Sequence, residues 1–464
     1  MTVPPAGHEQ PPIALPPPRL LPVRRTTGWL ALLIMFALMI GGQMVEYFSP
    51  REGSDDQAFA AQEFSLEFVV LSRSLGVGSG DLSQRKQLDD ALYEIVAAVD
   101  PQRKSNRTAA RLYAAARTEL GKTLEPGDLE VFRKGKDPSD QALAQIYGTM
   151  KLAPEQAEKA LSALKGEDFL DRIARAHARE RAGLPDARKG LVAPRKVVGL
   201  GLVAAAMCVG APAGLVLAFV YLNRRRRGLW QPEGVPATLL SPLDADRLAM
   251  RGALLMLGFL FVPILLAPFA KYLSDSLTQV LAGILVCFSF AGVLGMKIFG
   301  YGGGWQAIVG RSKPLSRLVL WGFGGWIANM PFLILGVMLS TAMSRFLPEP
   351  THPATDMLAS GSLVDVLLLF VTAVILAPLL EETLFRGVLF PASRWLLAST
   401  AGGILLSSFL FAGIHPQGIA GWPPLMAVAA MAAFLTYQTR SLVPAIVLHA
   451  LHNFATLLIG LTFL

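Results

Sequence analysis

An all-α, polytopic membrane fold is what this sequence predicts, and three observations predict it. The 464-residue chain has a mean hydropathy of +0.46, and only 16% of its residues are charged, against about 25% in a soluble globular protein. Several apolar windows reach the ~20 residues that a helix needs to cross a bilayer. Lys and Arg gather beside these windows, as in Arg224–Arg227, which is the positive-inside pattern of membrane proteins. The net charge of +8 therefore follows from topology, and nucleic acid is not expected as a partner.

Residues 1–26 are Pro-rich and read as a disordered cytoplasmic tail without a core. Residues 27–48 follow as an apolar run. A long tail precedes it and no small-x-small cleavage site follows GGQMVEYF, so it reads as a retained anchor rather than a signal peptide. Arg24 and Arg25 in front of it place the N-terminus in the cytoplasm. A second span lies within 196–228 and ends on the arginine run, returning the chain to the cytoplasm.

Residues 49–195 are then expected to form an extracytoplasmic insert. Apolar residues recur there at three and four, the spacing of a helix face. Asp100-Pro101, Glu125-Pro126 and Asp137-Pro138 break the pattern into the segments of a small helical bundle. No fixed period marks it as a repeat array. Asn106-Arg107-Thr108 matches a glycosylation sequon, a match too short to carry weight.

The membrane core is expected over 247–464, with spans at 248–270, 276–298, 315–341, 362–390, 399–415, 421–437 and 442–462. With the first two spans the total is about nine. Arg311, Lys313 and Arg317 mark a cytoplasmic loop, and MSRFLPEPTHPATDMLASGS, with His352, an outer one. Cys208 and Cys287 both fall in spans and imply no disulfide framework. The protein is expected in a membrane, and its short, basic-flanked organisation suggests the bacterial cytoplasmic membrane.

Glu381 and Glu382 are the only acidic residues after Asp365, and they lie inside LLLFVTAVILAPLLEETLFRG. A carboxylate within a bilayer costs at least about 2.5–3.5 kcal/mol on insertion scales, so a pair implies partners and a purpose. Three of the six histidines, His415, His449 and His452, lie downstream in the same apolar region. On a helix Glu382 reaches Arg386, four residues on. Glu381 points about 100° away. Glu382 and Arg386 thus read as a structural pair, with Glu381 facing a cavity.

Phe411 and His415 share a helix face, as do His449 and Asn453. His452 has no pattern partner and reads as a packing residue. A buried carboxylate with a histidine can take a proton from water, and a second histidine with an Asn amide can donate to an oxyanion. Neither GxSxG nor HExxH occurs, so serine and zincin mechanisms lack their usual signatures.

These three motifs, EExxxR, FxxxH and HxxxN in that order, resemble the CPBP intramembrane endopeptidases. That family includes the type II CAAX prenyl proteases and bacteriocin-processing or immunity membrane proteins. The resemblance covers 362–464 well and 247–464 in outline. It implies proteolysis of a membrane-associated peptide or protein in a cavity within the bilayer. Glu381 matches the family's water-activating glutamate and His415 its partner, while His449 and Asn453 match the oxyanion-stabilising pair.

A metal-independent mechanism, with no cofactor, is the favoured expectation. Zinc held by Glu381, His415 and His449 is the alternative. A non-catalytic scaffold or immunity protein of the same fold is the competing function. A transporter with a proton relay is a third, though no inverted repeat is visible.

Geometry poses one difficulty. Straight spans place Glu381 toward the inner side and His415 at the outer end of the next helix. They meet only if spans tilt, extend or break, for which Pro378, Pro391, Pro416, Pro423 and Pro424 are suitably placed.

Overall fold

A computed structural model describes residues 59–234, 313–347 and 362–463, except 167, 192, 345 and 416, together with single positions elsewhere. Those residues form helices and turns, with no strand among them. The tail 1–26, Arg311, His352, Cys287 and Pro416 lie outside the described residues, as do the spans 248–270 and 276–298 apart from single positions. So does the anchor 27–48 apart from single positions. Contacts divide the chain into two compact units, Pro50–Val198 and Met1–Ser49 with Gly199–Leu464.

The first unit is a bundle of α1 (Ala60–Ser74), α2 (Leu82–Val99), α3 (Arg107–Glu119), α4 (Glu130–Lys134), α5 (Pro138–Gly148), α6 (Pro154–Ala163) and α7 (Phe169–Arg181). Short polar side chains start its helices by accepting orphan backbone N–H groups. Asp81, Asn106, Asp137 and Asp168 serve α2, α3, α5 and α7. The Asn106 side chain, buried and bonded to Ala109 N at 2.9 Å, is thus committed to a cap. Leu66, Leu92, Leu112 and Ile173 belong to one core, and Phe132, Leu143, Ile146 and Ala174 to a second. Both cores draw on α3 and α7, which form the wall between them.

Among the described residues, five helices are long and apolar enough to cross a membrane: α8 (Pro194–Arg226), α9 (Leu315–Met343), α10 (Leu363–Leu396), α12 (Trp422–Thr439) with its lead-in from Ile419, and α13 (Val443–Phe463). Leu215, Val216 and Phe219 of α8 are 60–69% exposed, as lipid-facing side chains are, because hydrocarbon is as apolar as they are. The segment expected to span at 399–415 is instead a short helix, α11 (Thr400–Gly413). Its 14 residues rise only about 21 Å, less than the ~30 Å hydrocarbon thickness.

Prolines inside the spans do not end them. Turns widen to a π-helical pattern at Ala206–Gly210, Val371–Leu376 and Thr383–Leu389. In each case a proline, Pro212, Pro378 or Pro391, follows two residues later. A proline has no N–H to donate and its ring strikes the carbonyl four residues back. A widened turn moves that carbonyl aside, so the helix continues. Pro331 in α9 is handled differently. A methyl group on Gly214 of α8 would lie 2.5 Å from Ile327 O, the carbonyl four residues before Pro331. Only glycine lets α8 approach so closely.

Candidate active site

Length arithmetic brings the motifs together. From Glu381 to the end of α10 at Leu396, the helix rises roughly 22 Å, and α11 returns about 21 Å alongside it. The hairpin is tight: a methyl group on Gly403 would lie 2.8 Å from Arg394 Cα. His415 therefore comes back to the depth of Glu381. Running α10 on to Leu396 and keeping α11 short resolves the difficulty posed by straight spans.

Glu382 is fully buried. Its Oε1 accepts from Arg386 Nη1 at 3.0 Å and from His449 Nδ1 at 2.8 Å. Arg386, 1% exposed, also donates through Nη2 to the Ala429 carbonyl of α12 at 3.0 Å. Its guanidinium lies over the Phe411 ring, 4.6 Å from the centroid. A buried charge needs a counter-charge and hydrogen bonds; α10, α12 and α13 supply both here, while Glu382 Oε2 and Arg386 Nε stay unbonded. The pairing expected between Glu382 and Arg386 is present. Sequence spacing gave no hint of the His449 contact, because it joins residues on separate helices. The Ala429 carbonyl is backbone and leaves no sequence signal at all.

Glu381 has no such commitment. Its Oε2 is buried without a hydrogen-bond partner, 3.8 Å from His415 Nε2 and 3.9 Å from His449 Nε2. His415 Nδ1 lies 2.7 Å from the Phe411 carbonyl. A carbonyl only accepts, so Nδ1 carries the proton and Nε2 of the neutral ring presents a lone pair. His449 Nδ1 likewise gives its proton to Glu382. Phe411 packs beneath both imidazoles, with centroid separations of 4.6 Å to His415 and 5.6 Å to His449.

Asn453 Nδ2 donates to the Ala373 carbonyl at 2.7 Å, inside the widened turn Val371–Leu376. One of its two amide hydrogens is thus spent on α10. His452 follows on the same helix, and its carbonyl accepts from Thr456 Oγ1 at 2.9 Å. Among the described residues, no three His, Cys, Asp or Glu side chains are arranged as a metal-ligand group.

Residues 363–455 match the family described as type II CAAX prenyl endopeptidase Rce1-like. The matched segment contains all three motifs, and the family is the protease family that those motifs resemble. An uncharacterized 24.3 kDa protein of Escherichia coli is 38% identical over 95 residues, 20% of this chain and 42% of that protein. The chain thus spans less than half of that relative's length. No solved structure matches. The five apolar helices and the protease family together make this an integral membrane protein.

Proposed function

We propose that the membrane unit hydrolyses a peptide bond in a membrane-associated peptide or protein, using water activated by Glu381 and His415. The observation that carries this reading is the gap around Glu381 Oε2, at 3.8 and 3.9 Å from two imidazole nitrogens. Polar atoms so spaced are too far apart to bond directly but are suited to sharing a water. A water there donates one proton toward Glu381 and the other toward His415 Nε2.

As that water attacks the carbonyl carbon, its proton passes to the Glu381 carboxylate. The carbonyl becomes a tetrahedral oxyanion. The same proton then moves to the amide nitrogen as the C–N bond breaks, which restores the carboxylate and releases an amine and an acid. His449 and Asn453 are the proposed oxyanion donors. For His449 this role needs the doubly protonated ring, since its Nδ1 proton is already given to Glu382. Asn453 would contribute the amide hydrogen not bonded to Ala373.

The test is cleavage of a membrane-inserted reporter peptide by the purified protein in liposomes, with products identified by mass and with exhaustive chelation as a second arm. The reading expects a defined cut that survives chelation and is lost in His449→Ala. Activity abolished by chelation and restored by zinc would overturn the metal-independent mechanism. Absence of any cut, with His415→Ala still supporting the cellular phenotype, would favour a scaffold.

A further inference from the structure

The positive charge of the membrane unit collects at one end. Arg224–Arg227 close α8 and all four are exposed. Lys313 and Arg317 stand at the start of α9, Arg394 near the end of α10, and Arg440 just past α12. Direct contacts tie these termini together. Tyr221 Oη donates to Gln438 Oε1 at 2.8 Å, Ser441 Oγ to Gly310 O at 2.9 Å, and the Arg394 guanidinium lies 5.3 Å from the Tyr437 ring. Among the described residues of this unit, every Lys and Arg except Arg386 is at this end. The carboxylate described there, Glu233, is paired with Lys313. By the positive-inside rule this end faces the cytoplasm.

A solvated charge run would need no further structure, yet this one has it. The chain after Arg227 folds back onto α12: Gly234 N donates to Tyr437 O at 3.0 Å. Buried Gln438 gives its Nε2 to Trp230 O at 3.2 Å and Gln231 O at 3.1 Å. Trp230 is thereby held against Trp321 and Tyr221, with centroid separations of 5.3 and 6.1 Å. Indole and phenol rings are favoured at headgroup depth. Arg224 lies 5.8 Å from the Trp230 ring, and Arg225 Nη1 donates to Tyr221 Oη at 3.3 Å. Leu222 and Leu229, 52% and 58% exposed, flank the arginines.

We infer that this corner binds an anionic phospholipid of the cytoplasmic leaflet. Guanidinium groups of Arg224–Arg227 take the headgroup phosphate through forked donors. Leu222 and Leu229 meet the acyl chains, and the Gln438 latch keeps the aromatic floor in place. This site is independent of the proteolytic reading.

The test is native mass spectrometry of the full-length protein in detergent, offered phosphatidylglycerol and phosphatidylcholine of equal chain length. The wild type should retain phosphatidylglycerol at least about tenfold over phosphatidylcholine, given the attraction each basic side chain exerts at a membrane surface. The R224Q/R225Q/R226Q/R227Q variant should lose that preference. If it fails to insert, Gln438→Ala tests the same site with every charge kept, and should weaken phosphatidylglycerol retention severalfold. Equal retention of both lipids by the wild type would overturn the site, as would an unchanged preference in the variant that inserts. Displacement of the lipid by equimolar inorganic phosphate or an oligonucleotide would also overturn it, by assigning the patch to a soluble anion.

Discussion

The helical unit bonds its buried carboxylate Glu119 through both oxygens, whereas the membrane unit leaves one of two adjacent carboxylates, Glu381, beyond hydrogen-bond distance of the imidazoles it faces. In the helical unit, the Glu119 side chain is 1% exposed and bonded to His177 Nε2 at 3.0 Å, Arg188 Nη2 at 3.0 Å and Arg73 Nη1 at 3.2 Å. Burial alone would raise its pKa. The hydrogen bond and charge of His177, together with Arg188, outweigh burial and hold the carboxyl down at about 2. In the membrane unit, Glu382 Oε1 accepts from both Arg386 and His449, while its Oε2 has no partner. Its neighbour Glu381 leaves an oxygen unbonded before two imidazoles. A carboxylate surrounded by partners holds structure together, whereas one withheld from partners at a converging site is available for chemistry.

The largest effect expected from breaking this contrast is at His415. Replacing it with Ala should slow reporter cleavage by roughly 10²–10⁴-fold, the usual worth of a positioned acid–base group, while thermal unfolding in detergent stays near wild type. Arg386→Ala should do the reverse first. It strands the Glu382 charge in the bundle, a change that costs about 3–5 kcal/mol, so a lowered unfolding temperature should accompany any loss of cleavage.

Acid should separate the units. The Glu119 carboxyl sits below its ordinary value of 4.5, so its stabilisation is complete above about pH 4.5 and is lost as pH falls toward 2. The contribution is on the order of 3 kcal/mol. Protease sensitivity of α3 and α7 in the full-length protein should rise over that window, and Glu119→Gln should flatten the dependence. Smallest of all, Asn106→Ala removes the cap of α3 and should cost about 1 kcal/mol, with no change in cleavage rate.

Much of the site was legible in the sequence because it is helical spacing. Glu382 with Arg386 and Phe411 with His415 are pairs four apart, and the structure places both as expected. Spacing along one helix cannot foresee partners on another, which is why Glu382–His449 and Arg386–Ala429 emerge only in three dimensions. Span ends failed for a different reason. Pro378 and Pro391 suggested breaks, yet widened turns carry α10 through both. Hydropathy alone also made α11 a full span, since an apolar run does not reveal that 14 residues are too short to cross. Asn453 was assigned to the oxyanion, and the structure adds a bond to Ala373 that spacing could not show.

The division of labour between the two adjacent glutamates is tested most directly by Glu381→Gln. Its reporter cleavage in liposomes and its unfolding temperature would be measured beside those of Glu382→Gln. The expected result is a Glu381→Gln protein that unfolds at the wild-type temperature and does not cleave, beside a Glu382→Gln protein that is measurably less stable. Wild-type cleavage by folded Glu381→Gln would contradict it.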